Sequence, residues 1–150
     1  MRDLVRRRGA TAVAIAVGCV AFTSCAQPSS DYGDFRAKVR QSAKDAQSAV
    51  ATAQLMADEV LRGRTTLAYA DTVVTDAEND VSAVQTAFDT RQPPDATSIT
   101  LRDEFDNVLQ DAVTAAQDLR IAVRRDDAHA IRDGLDEAAK AVAQLQRYSR

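Results

Sequence analysis

From Asp34 onward the apolar and small residues fall into four stripes with helical spacing. The first runs Phe35, Val39, Ala43, Ala46, Val50, Ala53, Ala57 and Val60. After two steps of four, its spacing alternates three and four, which gathers all eight positions on one face of a helix. The second runs Leu67, Ala70, Val74, Ala77, Val81, Val84 and Phe88, and the third Leu101, Phe105, Val108, Ala112, Ala115, Leu119 and Ala122. The fourth runs Ala128, Ile131, Leu135, Ala138, Val142 and Leu145, with Tyr148 closing it. Most members are Ala or Val, small enough for neighbouring helices to approach at the low end of the usual spacing, about 8 Å. No two-residue alternation marks a strand, and no internal repeat is present.

The breaks between stripes differ in kind. Gln92-Pro93-Pro94-Asp95 stops a helix outright, because two prolines cannot continue one. Asp95, Thr97 and Ser98 offer caps for the next helix, and Thr100 with Asp103 three residues on resembles a capping box. At Arg62-Gly63-Arg64-Thr65-Thr66, Gly63 is placed to end one helix and Thr65 or Thr66 to begin another, the competing possibility being one long helix running through Gly63 with a stutter. Arg124-Arg125-Asp126-Asp127 has neither Gly nor Pro, but bases at a helix end followed by acids at a helix start suit both helix dipoles. Four stripes with short connections predict an all-α, antiparallel up-down four-helix bundle over residues 34–150.

Ahead of the bundle the pattern changes. Arg2 and Arg6-Arg7-Arg8 form a basic start, Gly9 to Val20 an apolar run, and Ala21-Phe22-Thr23-Ser24 a small-residue exit before Cys25. This is the layout of an export signal over residues 1–24. Counted from Gly9 to Ser24, the apolar stretch is about 16 residues, short for a spanning helix, which needs about 20; an uncleaved anchor and a plain secretory signal are the competing readings. The Thr23-Ser24-Cys25 exit resembles the lipobox of bacterial lipoproteins, with Phe22 where that family usually carries Leu or another aliphatic residue. The resemblance implies that Cys25 is acylated, with palmitate-type chains, and becomes the new N-terminus. Cys19 would leave too short an apolar region and is the second choice. The three arginines are also compatible with twin-arginine export. Residues 25–33, Cys25 to Gly33, then form a short polar tether in which Ser29, Ser30 or Asp31 can cap the first helix.

Composition narrows the function. The chain has 150 residues, 45% of them hydrophobic, and a net charge of −3. Loss of residues 1–24 removes four arginines and one acid, leaving 126 residues, one domain's worth, at a net charge of −6. So acidic a domain, with no basic stripe evident along the sequence, argues against nucleic-acid binding. It also leaves membrane anchoring to the acyl chains rather than to a charged grip on lipid heads. Cys19 departs with the signal and Cys25 is taken by lipid, so no disulfide supports the core.

Cofactor and catalytic signatures are missing from the sequence. A di-iron carboxylate bundle needs Glu-x-x-His on two helices, and the one histidine, His129, has Asp126 three residues before it. There is no Cys-x-x-Cys-His for haem and no Gly-rich phosphate loop, and the shortage of histidine, His129 alone at a helix start, argues against a nucleophile triad. The acidic groups Asp76/Glu78/Asp80, Asp103/Glu104/Asp106 and Asp126/Asp127 fall mostly off the stripes, as solvated faces do. No catalytic residue, metal ligand or cofactor site is therefore expected.

The Ala/Val/Asp/Arg-rich bundle, with Gln92-Pro93-Pro94-Asp95 between its halves, resembles small uncharacterised lipoproteins of high-GC Gram-positive bacteria. That resemblance implies attachment to the cell membrane at its extracytoplasmic face. The expectation is a non-catalytic, lipid-anchored envelope protein, tethered at Cys25, whose bundle acts as an interaction or scaffold module for an envelope protein. The alternative is a small-molecule binding or sensor bundle. A pocket of about 300 Å³ or more among the helices would favour it.

Overall fold

The computed structural model describes residues 29–150. They form four α-helices: α1 (Tyr32–Leu61), α2 (Leu67–Asp89), α3 (Ala96–Arg124) and α4 (Ala128–Tyr148). Asp31 caps α1 by accepting from the Asp34 N–H at 2.9 Å, so the helix starts two residues before the sequence pattern suggests and takes Tyr32 and Gly33 from the tether. Asp95 caps α3 by accepting from the Ser98 N–H at 2.7 Å. Thr100 and Asp103 accordingly lie inside the helix, and the capping box expected there does not form. One earlier carboxylate already satisfies the free N–H.

Gly63 makes a true turn rather than a stutter. It adopts a φ of +64°, its N–H reaches Val60 O at 2.9 Å, and the Arg64 N–H reaches Glu59 O at 2.9 Å. This paired closure is the Schellman motif, and a left-handed residue is what it requires. The α3–α4 turn closes in the same way without glycine. The Asp126 N–H bonds Val123 O and the Asp127 N–H bonds Ala122 O, with Asp126 itself left-handed at φ +53°. Asp127 then caps α4 by accepting from the His129 and Ala130 N–H groups.

Direction is fixed by side-chain pairs. Asp71, Glu78 and Gln85 climb α2 while their partners Arg124, Arg120 and Gln110 descend α3. At one end a row of rings joins all four helices. Phe35 lies 6.0 Å from Phe88, Phe88 4.9 Å from Phe105, and Phe105 5.2 Å from Tyr148. The start of α1, the end of α2, the start of α3 and the end of α4 therefore meet there, as an up-down antiparallel bundle demands. Phe88 and Phe105 meet edge to face, a favoured aromatic arrangement.

The core is not evenly shared. α3 buries eleven residues and α1 nine, against five each on α2 and α4. This follows from the cross-section: α1 and α3 touch across one diagonal, whereas α2 and α4 do not approach each other. Ala46, Ala53 and Ala57 on α1 with Ala112 and Ala116 on α3 are fully buried and small enough to permit that contact. α3 accordingly buries a second stripe beside the expected one: Leu109, Val113, Ala116 and Val123. Leu67 and Ala128, expected in the core, are exposed, because each is the first residue of its helix at the far end of the bundle. Gly134 faces Leu119 of α3 so closely that a Cβ there would sit 2.9 Å from the leucine Cδ2.

Candidate functional site

Cys25, the expected acylation residue, lies outside the described residues, as do residues 1–24 and 26–28. What the structure places is the start of the bundle, where the expected tether would join it. Ser29 and Ser30 precede the Asp31 cap at the aromatic end, beside the Thr90–Asp95 turn and the end of α4. Asp31 is six positions after Cys25, a reach of at most about 20 Å when extended. The 30 residues of α1 span about 45 Å. The turns at Gly63 and Asp126 therefore form the end remote from the tether.

Charge is segregated along and around this bundle. α2 carries five acids, Asp71, Asp76, Glu78, Asp80 and Asp89, and no base. The seam between α2 and α3 absorbs part of that charge. Arg120 pairs with Glu78 with both side chains largely buried, and Arg124 pairs with Asp71 at 3.1 Å. At the remote turn, Arg62 reaches Asp58 at 2.5 Å and Arg64 pairs with Glu59, which holds the Arg64 guanidinium above its ordinary pKa. The four cations of α1 instead all fall between Arg36 and Lys44, near the aromatic end. Arg36, Lys38, Arg40 and Lys44 form no ion pair among the described residues, nor do Arg147 and Arg150 at the same end. Arg36, Arg40 and Lys44 follow at i, i+4 and share one face. The sequence-wide acidity hides this strip, and the expectation that no basic stripe exists is corrected by it.

The acidic groups singled out in the sequence have distinct settings. Asp127 accepts two backbone N–H bonds, which hold its carboxyl below the ordinary range, and His129 adds a smaller pull in the same direction. Asp106 is half-buried, one of its oxygens has no partner, and burial raises its pKa against the pull of Arg102 at 3.6 Å. It is therefore not the fully solvated surface acid that the pattern suggests. Asp103, Glu104, Asp76 and Asp80 are exposed. His129 is exposed in the first turn of α4, its Nδ1 2.9 Å from the Asp133 carboxylate. Among the described residues no three metal-ligating side chains converge, and no helix is long and apolar enough to cross a membrane.

The hollows are surface grooves. One of about 460 Å³ lies between Tyr32 and the α3 face formed by Ala96, Thr97, Thr100, Leu101 and Glu104, all but Leu101 exposed. Another of about 360 Å³ follows the α3–α4 seam past Asp111, Asp118, Glu137 and Lys140, where Glu137 raises the Lys140 pKa. A third of about 270 Å³ continues it beneath Ile121 to the Gly134 notch. Each exceeds or approaches a small ligand's volume, but the interior is filled by rings and methyl groups.

These features define an all-α four-helix bundle with one end marked by aromatic packing and by a row of α1 cations that have no ion pair among the described residues. Comparison with known protein families, with curated proteins and with solved structures finds no match to the chain.

Proposed function

We propose that this chain is a non-catalytic lipoprotein, anchored by acylated Cys25 at the extracytoplasmic face of the cell membrane. Its bundle holds an envelope partner as an interaction or scaffold module. The observation that carries this is the joining of a lipobox-like Thr23-Ser24-Cys25 to a bundle whose first cap, Asp31, stands only six residues later. Such a short connection keeps the aromatic end close to the membrane, and the remote turns lie about 45 Å from that end along α1. The filled interior supports a protein-binding role over a small-molecule pocket, since the grooves are open and mostly lined by exposed polar side chains.

The test follows labelled fatty acid and intact mass in cells making the wild type, Cys25→Ser and Cys19→Ser. Label and mature mass should be retained in Cys19→Ser and lost in Cys25→Ser. Label that persists in Cys25→Ser, or is absent from the wild type, refutes the anchored reading.

A further inference from the structure

We propose that the α1–α4 face of the tethered end is a docking surface for an anionic lipid bilayer, so that the anchored bundle lies with α1 against the membrane instead of standing on its end. The proposal rests on the anchored reading above and deepens it. Its first support is the strip itself. Arg36, Arg40 and Lys44 are exposed and unpaired among the described residues, whereas at the remote end Arg62 and Arg64 pair with Asp58 and Glu59, and Arg125, though without an ion pair among them, shares its groove with Asp118, Asp127, Asp133 and Glu137. The second support is the placing of the nearby acids. Asp31 is occupied as a helix cap, Asp34 accepts from the Ser30 N–H, and Asp45 lines the groove against α2 with Ala49 and Thr52. At 100° per residue Asp45 stands about 100° to 180° round α1 from Lys44, Arg40 and Arg36, so no acid of α1 interrupts the strip, whose row continues at i+4 to Ser48 and Thr52 on the rim of that groove. α4 packs on α1 and ends there with Arg147 and Arg150. The third is the tether, whose reach of at most about 20 Å confines the strip to the neighbourhood of the bilayer. The acid-rich α2 then faces away from the lipid.

Each cation brought near an anionic surface shifts the equilibrium about fivefold, so three favour the lying orientation on the order of a hundredfold. The test uses the chain from Cys25 to Arg150, whose buried core lies wholly within Phe35 to Leu145. Cys25 is its sole cysteine. Its thiol is coupled to a maleimide lipid in vesicles of phosphatidylcholine, alone or mixed with phosphatidylglycerol. An amine-reactive ester and mass spectrometry then read Lys38, Lys44 and Lys140, the three lysines. Lys44 should react at least about fivefold more slowly on the mixed vesicles, while Lys140, in the α3–α4 groove, stays unchanged. Protection should vanish near 1 M salt, where screening falls to about 3 Å, and in the doubly substituted Arg36→Glu, Arg40→Glu protein with unchanged circular dichroism. Equal Lys44 reactivity on both vesicles overturns the proposal. So does protection by soluble polyphosphate with none on anionic vesicles, which assigns the strip to a soluble polyanion. Because the anchor is chemical, these outcomes are independent of whether cells acylate Cys25, which the fatty-acid experiment reads alone.

Discussion

Replacing Gly134 with alanine sets two effects of known size against each other. Gly134 is the seventh residue of α4, well inside the helix, where glycine costs about 1 kcal/mol relative to alanine. An exposed site would return that amount. Here the new Cβ would lie 2.9 Å from Leu119 Cδ2 and 3.3 Å from its Cγ, and Leu119 is fully buried, with no solvent to swing into. Overpacking of this kind costs about 1–3 kcal/mol, so Gly134→Ala should leave the protein about 0–2 kcal/mol less stable in spite of its better helix former. Leu119→Ala alone should cost about 2–5 kcal/mol through the cavity it leaves. With that side chain gone, the nearest atom left to a Cβ at 134 is the Cα of residue 119 at 3.7 Å, an ordinary contact. In the Leu119→Ala background, then, Gly134→Ala should stabilise by about 1 kcal/mol. Urea unfolding followed by far-UV circular dichroism, with the four proteins compared at equal m-values, measures the cycle. A Gly134→Ala gain of the same size in both backgrounds would refute the close approach of α3 and α4.

Two further expectations concern backbone and charge. Asp126 sits left-handed at φ +53° in the role that Gly63 fills at the other remote turn, so Asp126→Gly should stabilise by about 1 kcal/mol and Gly63→Ala should destabilise by a similar amount, both read as shifts in the urea midpoint. At Gly63 no atom lies within 4 Å of an added Cβ, so that loss would be backbone strain alone. Burial raises the Asp106 pKa, so between the unfolded value near 3.8 and the higher folded one the native state holds more proton. This group's contribution therefore falls as pH rises through that window. Asp106→Asn should flatten that descent and make the protein more stable than wild type at neutral pH, the lost Arg102 attraction being secondary to burial. A wild-type slope retained in the variant would place the effect elsewhere.

The sequence is most legible where one local rule acts alone. Pro93-Pro94 ended α2, Gly63 ended α1, and the period from Phe35 to Ala57 named core residues that are all buried, because each depends on a few neighbouring residues. It is less legible where contacts between distant helices decide. Nothing local says that α3 lies across the diagonal from α1, so the second stripe at Leu109, Val113, Ala116 and Val123 is hidden, although it stands one residue after Val108, Ala112, Ala115 and Ala122 throughout. Caps compete, and the choice of Asp95 over Thr100 rests on which carboxylate or hydroxyl first meets a free N–H. The cationic strip is hidden for another reason. Net charge sums the whole chain, whereas a surface is read locally, and α2 alone holds enough acid to mask Arg36, Arg40 and Lys44.

The antiparallel arrangement has a mechanical consequence. α1 starts where Phe35 is held against Phe88, and the remote turn at Gly63 ends the same helix. Tension applied between those two points runs along the axis of α1 and loads its contacts with α2, α3 and α4 together, in shear. Tension applied across the axis at Ser29 opens α1 one turn at a time, beginning at Phe35. The same bundle is thus stiff to a lengthwise pull and soft to a sideways one, and the direction of the load decides how long it stays folded.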